Sequence, residues 1–203
     1  MWMASFRKTE SESGRLSGRF SNAGPLAGSP FSQAQIQQLM KTEFARARRY
    51  GFPVACMLLQ VDRLDGLVDL HGSELRDAVR RELTKLCAEQ SRGSDHLGLA
   101  SDDRYLIVMP HSDAEAGRRL GERLRSAFAD LEISVGGSLL ALQLSIGVVS
   151  SEGQESLFFE TLLTQVEAAL EEAVDRGGDR VCLFEDGPLA AEDPDPTTEK
   201  GDT

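Results

Sequence analysis

Residues 54–62 read VACMLLQVD, a continuous apolar run of strand length closed by a carboxylate. A strand with one wet face alternates apolar and polar residues. This run does not, so it predicts a central strand buried on both faces. Upstream, Ser32 can cap a helix through QAQIQQLMKTEFARARRY, with Ile36, Leu39, Met40, Phe44 and Ala47 on one stripe. Gly51 and Pro53 end it. Downstream, Leu75, Val79, Leu83 and Leu86 recur at helical spacing over 73–89. Short strands over 96–100 and 105–109 flank the polar stretch SDDR and predict a hairpin. Ser112 and Glu115 have the spacing of a capping box opening a helix to about residue 129. Strands over 131–135 and 139–149 meet around Gly136-Gly137. A helix over 157–174, the turn Arg176-Gly177-Gly178 and a strand over 180–184 complete the series. The order α-β-α-β-β-α-β-β-α-β predicts an α+β fold, ferredoxin-like, with helices covering one mixed, largely antiparallel sheet.

The 203 residues include 33 acidic and 22 basic side chains, a formal net charge of -11. Such a balance argues against a nucleic-acid polymer as partner and against a basic membrane anchor. The chain has no apolar run long enough to span a bilayer and opens without a signal-peptide core, so a cytoplasmic location is expected. Cys56, Cys87 and Cys182 are odd in number and lack CxxC spacing, which reads as reduced, buried thiols. His71, His96 and His111 stand at no ligand spacing, so no metal site is expected from them. Charge and proline are uneven along the chain. Five of the seven prolines lie in the two ends, and residues 185–203 hold seven acids against Lys200 alone. The reading is a disordered Ser/Gly-rich tail over 1–34, a folded domain over 35–185 and a disordered acidic tail over 186–203.

The order of elements and the strings MLLQVDRLDGLVDLHG, RGSDHLGLASDDRYLIVMP, LSIGVV and EEAVDRGGDRVCLFE resemble the GGDEF family, the diguanylate cyclase domains of bacteria. The resemblance covers about residues 35–185 and implies the nucleotide-cyclase-like version of the fold. Active members join two GTP molecules into cyclic di-GMP. Their signature hairpin has two glycines, two acids and an aromatic, where this chain has Ser101-Asp102-Asp103-Arg104-Tyr105. Glycine suits that place because bare backbone can approach a triphosphate closely. The resemblance also sets Gln60 at a magnesium-coordinating aspartate, Asp65 at a phosphate-contacting lysine, Val68 at a guanine-reading asparagine and Arg104 at an acid beside the reacting hydroxyl. Asp103 and Asp77 match a metal-coordinating acid and a guanine-contacting aspartate. Two magnesium ions need several carboxylates. The expectation is therefore a degenerate active site, with no catalytic residues, no bound metal or cofactor, and no enzyme.

Arg92-Gly93-Ser94-Asp95 has the form and spacing of the family's Arg-x-x-Asp product site, five residues before the hairpin. An arginine fork can pair with the O6/N7 edge of guanine or with a phosphate, and a carboxylate can accept from the guanine N1–H. Arg119 and Arg123 lie four apart on one helix face, and Arg123 aligns with a second product-site arginine of some members. Leu99 stands where active members carry a further arginine. The implied function is a cyclic di-GMP receptor that regulates a protein partner, with ligand able to crosslink two copies into a homodimer. The alternatives are a ligand-independent protein–protein interaction module, or a GTP-binding regulatory domain using Asp62, Asp77 and Asp103.

Overall fold

In the computed structural model, residues 30–101, 103–151 and 159–184 are described, and the expected tails lie outside them apart from 30–34. The elements run α1 Gln33–Tyr50, β1 Val54–Val61, α2 Leu64–His71, α3 Glu74–Gln90, β2 His96–Leu99, β3 Arg104–Pro110, α4 Ala114–Ala129, β4 Glu132–Val135, β5 Ser138–Ala141, β6 Leu144–Ser150, α5 Phe159–Asp175 and β7 Val181–Leu183. The main sheet has the order β2-β3-β1-β6-β7. β1 pairs antiparallel with β3 and β6, and β7 adds parallel to β6. The fold is thus α+β with a mixed, mostly antiparallel sheet, as expected.

The apolar run of β1 takes the centre because its two faces belong to different cores. Ala55, Met57, Leu59 and Val61 pack with residues of α3 and α4, including Val79, Leu83, Leu120 and Leu124. Val54, Cys56 and Leu58 pack with Ile36, Met40 and Phe44 of α1 and with Leu162, Val166 and Leu170 of α5. A period-two backbone between two helical layers requires this division. Burial pushes the Cys56 and Cys87 thiols up to about 12, so both stay protonated.

Four details differ from the sequence reading. α2 is an additional helix, missed because it has only eight residues, contains Gly66 and starts after Arg63 in a left-handed conformation (φ 55). The run 139–149 divides: β5 closes a separate two-stranded sheet with β4, while β6 enters the main sheet. Leu142 and Gln143 make the crossing between them. The α4 cap is Asp113, whose Oδ1 accepts from the Ala116 N–H at 2.6 Å, whereas Ser112 is buried with its hydroxyl toward the Pro110 carbonyl. Structure also begins before residue 35, since α1 starts at Gln33 and Phe31 exchanges backbone hydrogen bonds with Leu97 and Leu99 of β2.

The glycine of LSIGVV has a packing reason. A Cβ on Gly147 would run into the backbone of Val166 and Leu170, so α5 crosses β6 at contact distance there. Gly147→Ala should cost about 3 kcal/mol, because rigid helix backbone must move away from the sheet. Urea unfolding measures this, and a loss below about 0.5 kcal/mol would contradict the close crossing.

Candidate functional site

Two polar regions flank β2, one at each end. The first is a cleft of about 450 Å³ lined by Gln60, Val61, Arg63, Leu64, Asp65, Ser101, Asp103 and Arg104. Gln60 of β1 and Arg104 of β3 are direct cross-strand partners, so their side chains leave the same face. Arg104 Nε donates to Gln60 Oε1 at 2.8 Å. The hairpin turn closes through the N–H groups of Ala100 and Ser101, both donating to the Arg104 carbonyl. Arg76 of α3 reaches in from the side. Its Nε and Nη2 donate to the two carboxylate oxygens of Asp103 at 2.7 and 2.9 Å, and Nη2 also donates to Asp65 Oδ1 at 2.7 Å. The first pair is the bidentate fork that arginine makes best with a carboxylate.

The structure therefore brings together Gln60, Asp65, Ser101, Asp103 and Arg104. It does not bring Asp77 there: Asp77 lines a separate cavity of about 300 Å³ with Glu74, Ala78, Arg81 and residues 134–136. Val68 is half-buried against the core and does not line the cleft. Asp62 is held elsewhere, its carboxylate accepting from Ser145 Oγ at 2.6 Å and from the Asp179 N–H at 2.9 Å. Asp102 lies outside the described residues. Arg63 and Arg76 were not anticipated. The available signal was chemical rather than positional, since two carboxylates brought as close as Asp65 and Asp103 need a cation beside them.

The second region is the loop from Ser91 to Asp95, between α3 and β2. Arg92 is exposed, but Asp95 is only 3% exposed. Its Oδ2 accepts from the Arg92 N–H at 2.8 Å, its N–H donates to the Arg92 carbonyl at 3.0 Å, and Ser94 Oγ stands 3.4 Å from Oδ1. The Asp95 carboxylate thus faces its own loop and holds the Arg92 backbone. Arg123 of α4 donates from Nη2 to the Gln90 carbonyl at 3.3 Å, which places it at the α3 terminus beside the loop. Arg119, one turn earlier, donates to Glu115 Oε1 at 3.2 Å. Glu115 is bound mainly by Arg118, whose hydrogen bonds hold that carboxyl below the usual carboxylate range.

Asp95→Ala should lower stability by about 2 kcal/mol, since a charge-assisted bond to backbone is lost from a buried position. Arg92→Ala should stay within about 0.5 kcal/mol of the parent, as an exposed substitution. Paired urea titrations test the contrast, and equal effects would contradict the inward role of Asp95.

Comparison with known proteins agrees with this architecture. The chain is 28% identical over 157 residues to Diguanylate cyclase DgcP of Pseudomonas aeruginosa, covering 77% of this chain and 23% of that one. It is 28% identical over 150 residues to Diguanylate cyclase DosC of Escherichia coli, covering 73% and 32%. The chain thus spans less than a third of the length of either relative. Among solved structures, the GGDEF domain of DgcB from Caulobacter crescentus in complex with c-di-GMP superposes with a TM-score of 0.73 at 15% identity, covering 83% of this chain and 99% of that one. The diguanylate cyclase SiaD in complex with its activator SiaC, from Pseudomonas aeruginosa, gives 0.72 at 23% identity, covering 80% and 62%. The curated relatives overturn the expectation that the chain is not an enzyme, because both are named diguanylate cyclases and point to an enzyme. The description "Diguanylate cyclase, GGDEF domain" matches residues 31–180, and the chain belongs to that family.

Proposed function

We propose that the domain binds cyclic di-GMP at the Arg92–Asp95 loop and passes its occupancy to a protein partner. The observation that carries this reading is that Arg123 of α4 reaches the end of α3, two residues before Arg92 of the loop. Arg92 projects from the loop, and Arg123 crosses from α4 to within 3.3 Å of the Gln90 carbonyl. Guanidinium groups suit both halves of the ligand, forking onto the O6/N7 edge of guanine and onto phosphate oxygens. Arg119, one turn from Arg123, extends the basic face and can exchange Glu115 for a phosphate. Asp95 contributes by fixing the backbone of Arg92, which limits the entropy that binding must overcome.

Two relatives support the setting: DgcB was solved with c-di-GMP and SiaD with its activator protein. Because the curated relatives are diguanylate cyclases, the ligand read here is also the product of the reaction they are named for. A domain of this kind senses the concentration of that product.

Isothermal titration of the full chain with cyclic di-GMP should show saturable binding at micromolar ligand. Arg92→Ala and Arg123→Ala should each weaken it about tenfold or more, the loss expected of one bidentate contact. No binding heat, or binding indifferent to Arg92→Ala, would contradict the proposal.

A further inference from the structure

The two helices that cover one face of the sheet carry opposite charge. α1 holds Lys41, Arg46, Arg48 and Arg49, all exposed, while its one acid, Glu43, is buried and paired with Arg46 at 2.7 Å. α5 holds Glu160, Glu167, Glu171, Glu172 and Asp175 and no basic residue. Gln38, Lys41, Arg46, Arg49 and Tyr50 line a shallow groove of about 640 Å³ along α1, on the side away from the buried stripe of Ile36, Met40, Phe44 and Ala47. Arg48 and Arg49 complement the dipole at the helix C-terminus, but Lys41 stands in mid-helix. Among the described residues no carboxylate pairs with Lys41, Arg48 or Arg49. Lys41 and Arg49 lie instead over aromatic rings, 5.1 Å from the centre of Phe159 and 5.5 Å from that of Tyr50.

The complementary charge lies in the sequence after β7. Residues 185–203 hold seven acids against Lys200, three of them within Glu192-Asp193-Pro194-Asp195-Pro196. The point where the chain leaves the sheet favours α1. Leu183 pairs with Val148 of β6, and the Phe184 N–H donates to the Val148 carbonyl. Val149 and Ser150, next along β6, stand opposite Cys56 and Ala55 at the start of β1. β7 therefore ends at the same end of the sheet at which α1 leads into β1, and Phe184 packs on the same core as Ile36, Met40 and Phe44. Two strand spacings, about 10 Å, separate β7 from β1. Residues 185–191 span up to about 23 Å when extended, enough to bring Glu192 to the C-terminal end of the groove.

We propose that the acidic segment 192–199 docks in the α1 groove of its own chain, with Glu192, Asp193 and Asp195 meeting Lys41, Arg46 and Arg49. Pro194 and Pro196 restrict φ and remove two N–H donors, so the segment presents its carboxylates on a stiffened backbone and loses less entropy on docking. The carboxylates of α5 repel the same segment, which leaves α1 as the acceptor on this face. Exposed ion pairs are individually weak, but the tether holds the segment at an effective concentration in the millimolar range. Docking masks the basic face of α1 from other anions, and it does not depend on cyclic di-GMP or on Arg92.

The test is paramagnetic broadening of amide signals in the full chain, with a nitroxide attached at Thr198→Cys. Cys56, Cys87 and Cys182 are buried, so the label goes to the introduced thiol. At about 0.01 M salt, where charges act over about 30 Å, signals at 38–50 should be strongly broadened, and at about 1 M, where that reach falls to about 3 Å, they should return. Lys41→Glu with Arg49→Glu should abolish the broadening, and so, separately, should Glu192→Gln with Asp193→Asn and Asp195→Asn, the rest of each amide spectrum confirming the fold. With the nitroxide and the isotope label on different molecules, mixed, no broadening should appear. Broadening centred on Arg92, Arg119 and Arg123, broadening confined to residues 1–29, broadening between molecules, or none in α1 at low salt would each overturn the proposal. Broadening indifferent to salt or to both sets of substitutions would overturn it as well.

Discussion

Everything in this domain is referred to one constraint, the burial of β1 on both faces. A strand with no wet face must have helices above and below and strands on either side, and its neighbours β3 and β6 fill those places. The same constraint fixes where polar chemistry can occur. Side chains in the middle of β1 are committed to the cores, so the first positions free to reach solvent lie at its end, at Gln60 and just beyond at Asp62 and Arg63. The cleft forms there because β3 starts opposite Gln60 and carries the hairpin with it.

β2 joins the two polar regions. It has four residues, begins just after Asp95 and leads directly into the hairpin turn. Its outer edge is held by Phe31, whose N–H donates to the Leu97 carbonyl and whose carbonyl accepts from the Leu99 N–H, each at 2.9 Å. Its face is held by α1, where Ile36 occupies the space that a side chain at Gly98 would need. The loop carrying Arg92 and the hairpin carrying Arg104 are therefore two ends of one short, doubly anchored element. Between them the charges divide by chemistry. Asp65 and Asp103 in the cleft share Arg76, the Asp95 carboxylate is turned inward, and Arg92 and Arg123 stand exposed beside the loop. The net charge of -11 describes the whole chain and conceals this local pattern, which only the positions of Arg63, Arg92, Arg104 and Arg123 reveal.

Much of the fold was legible in the sequence because burial imposes period. The stripe Ile36, Met40, Phe44, Ala47 and the run 54–62 carry their partners' geometry in their spacing. α2 was not legible because Gly66 and a left-handed Arg63 mask its short Leu64, Leu67, Val68 pattern. The division of 139–149 was not legible because both pieces are apolar and only the pairing partners differ. At the sites, residue proximity along the chain was readable and direction was not. Arg92 and Asp95 are neighbours in the loop as expected, but an Asp side chain can cap its own loop backbone as readily as it can reach a ligand. Arg76 meets Asp103 from 27 residues away, a contact set by tertiary packing that no local pattern encodes.

The central claim is that cyclic di-GMP is read by arginines at the head of β2 rather than in the cleft at its foot. Amide chemical-shift mapping of the full chain, titrated with cyclic di-GMP, addresses it directly. The account predicts saturable shifts at 91–97 and around Arg119 and Arg123, with Ser101, Asp103 and Arg104 moving little. Shifts concentrated at Arg63, Ser101 and Arg104, with the loop and α4 unmoved, would contradict it.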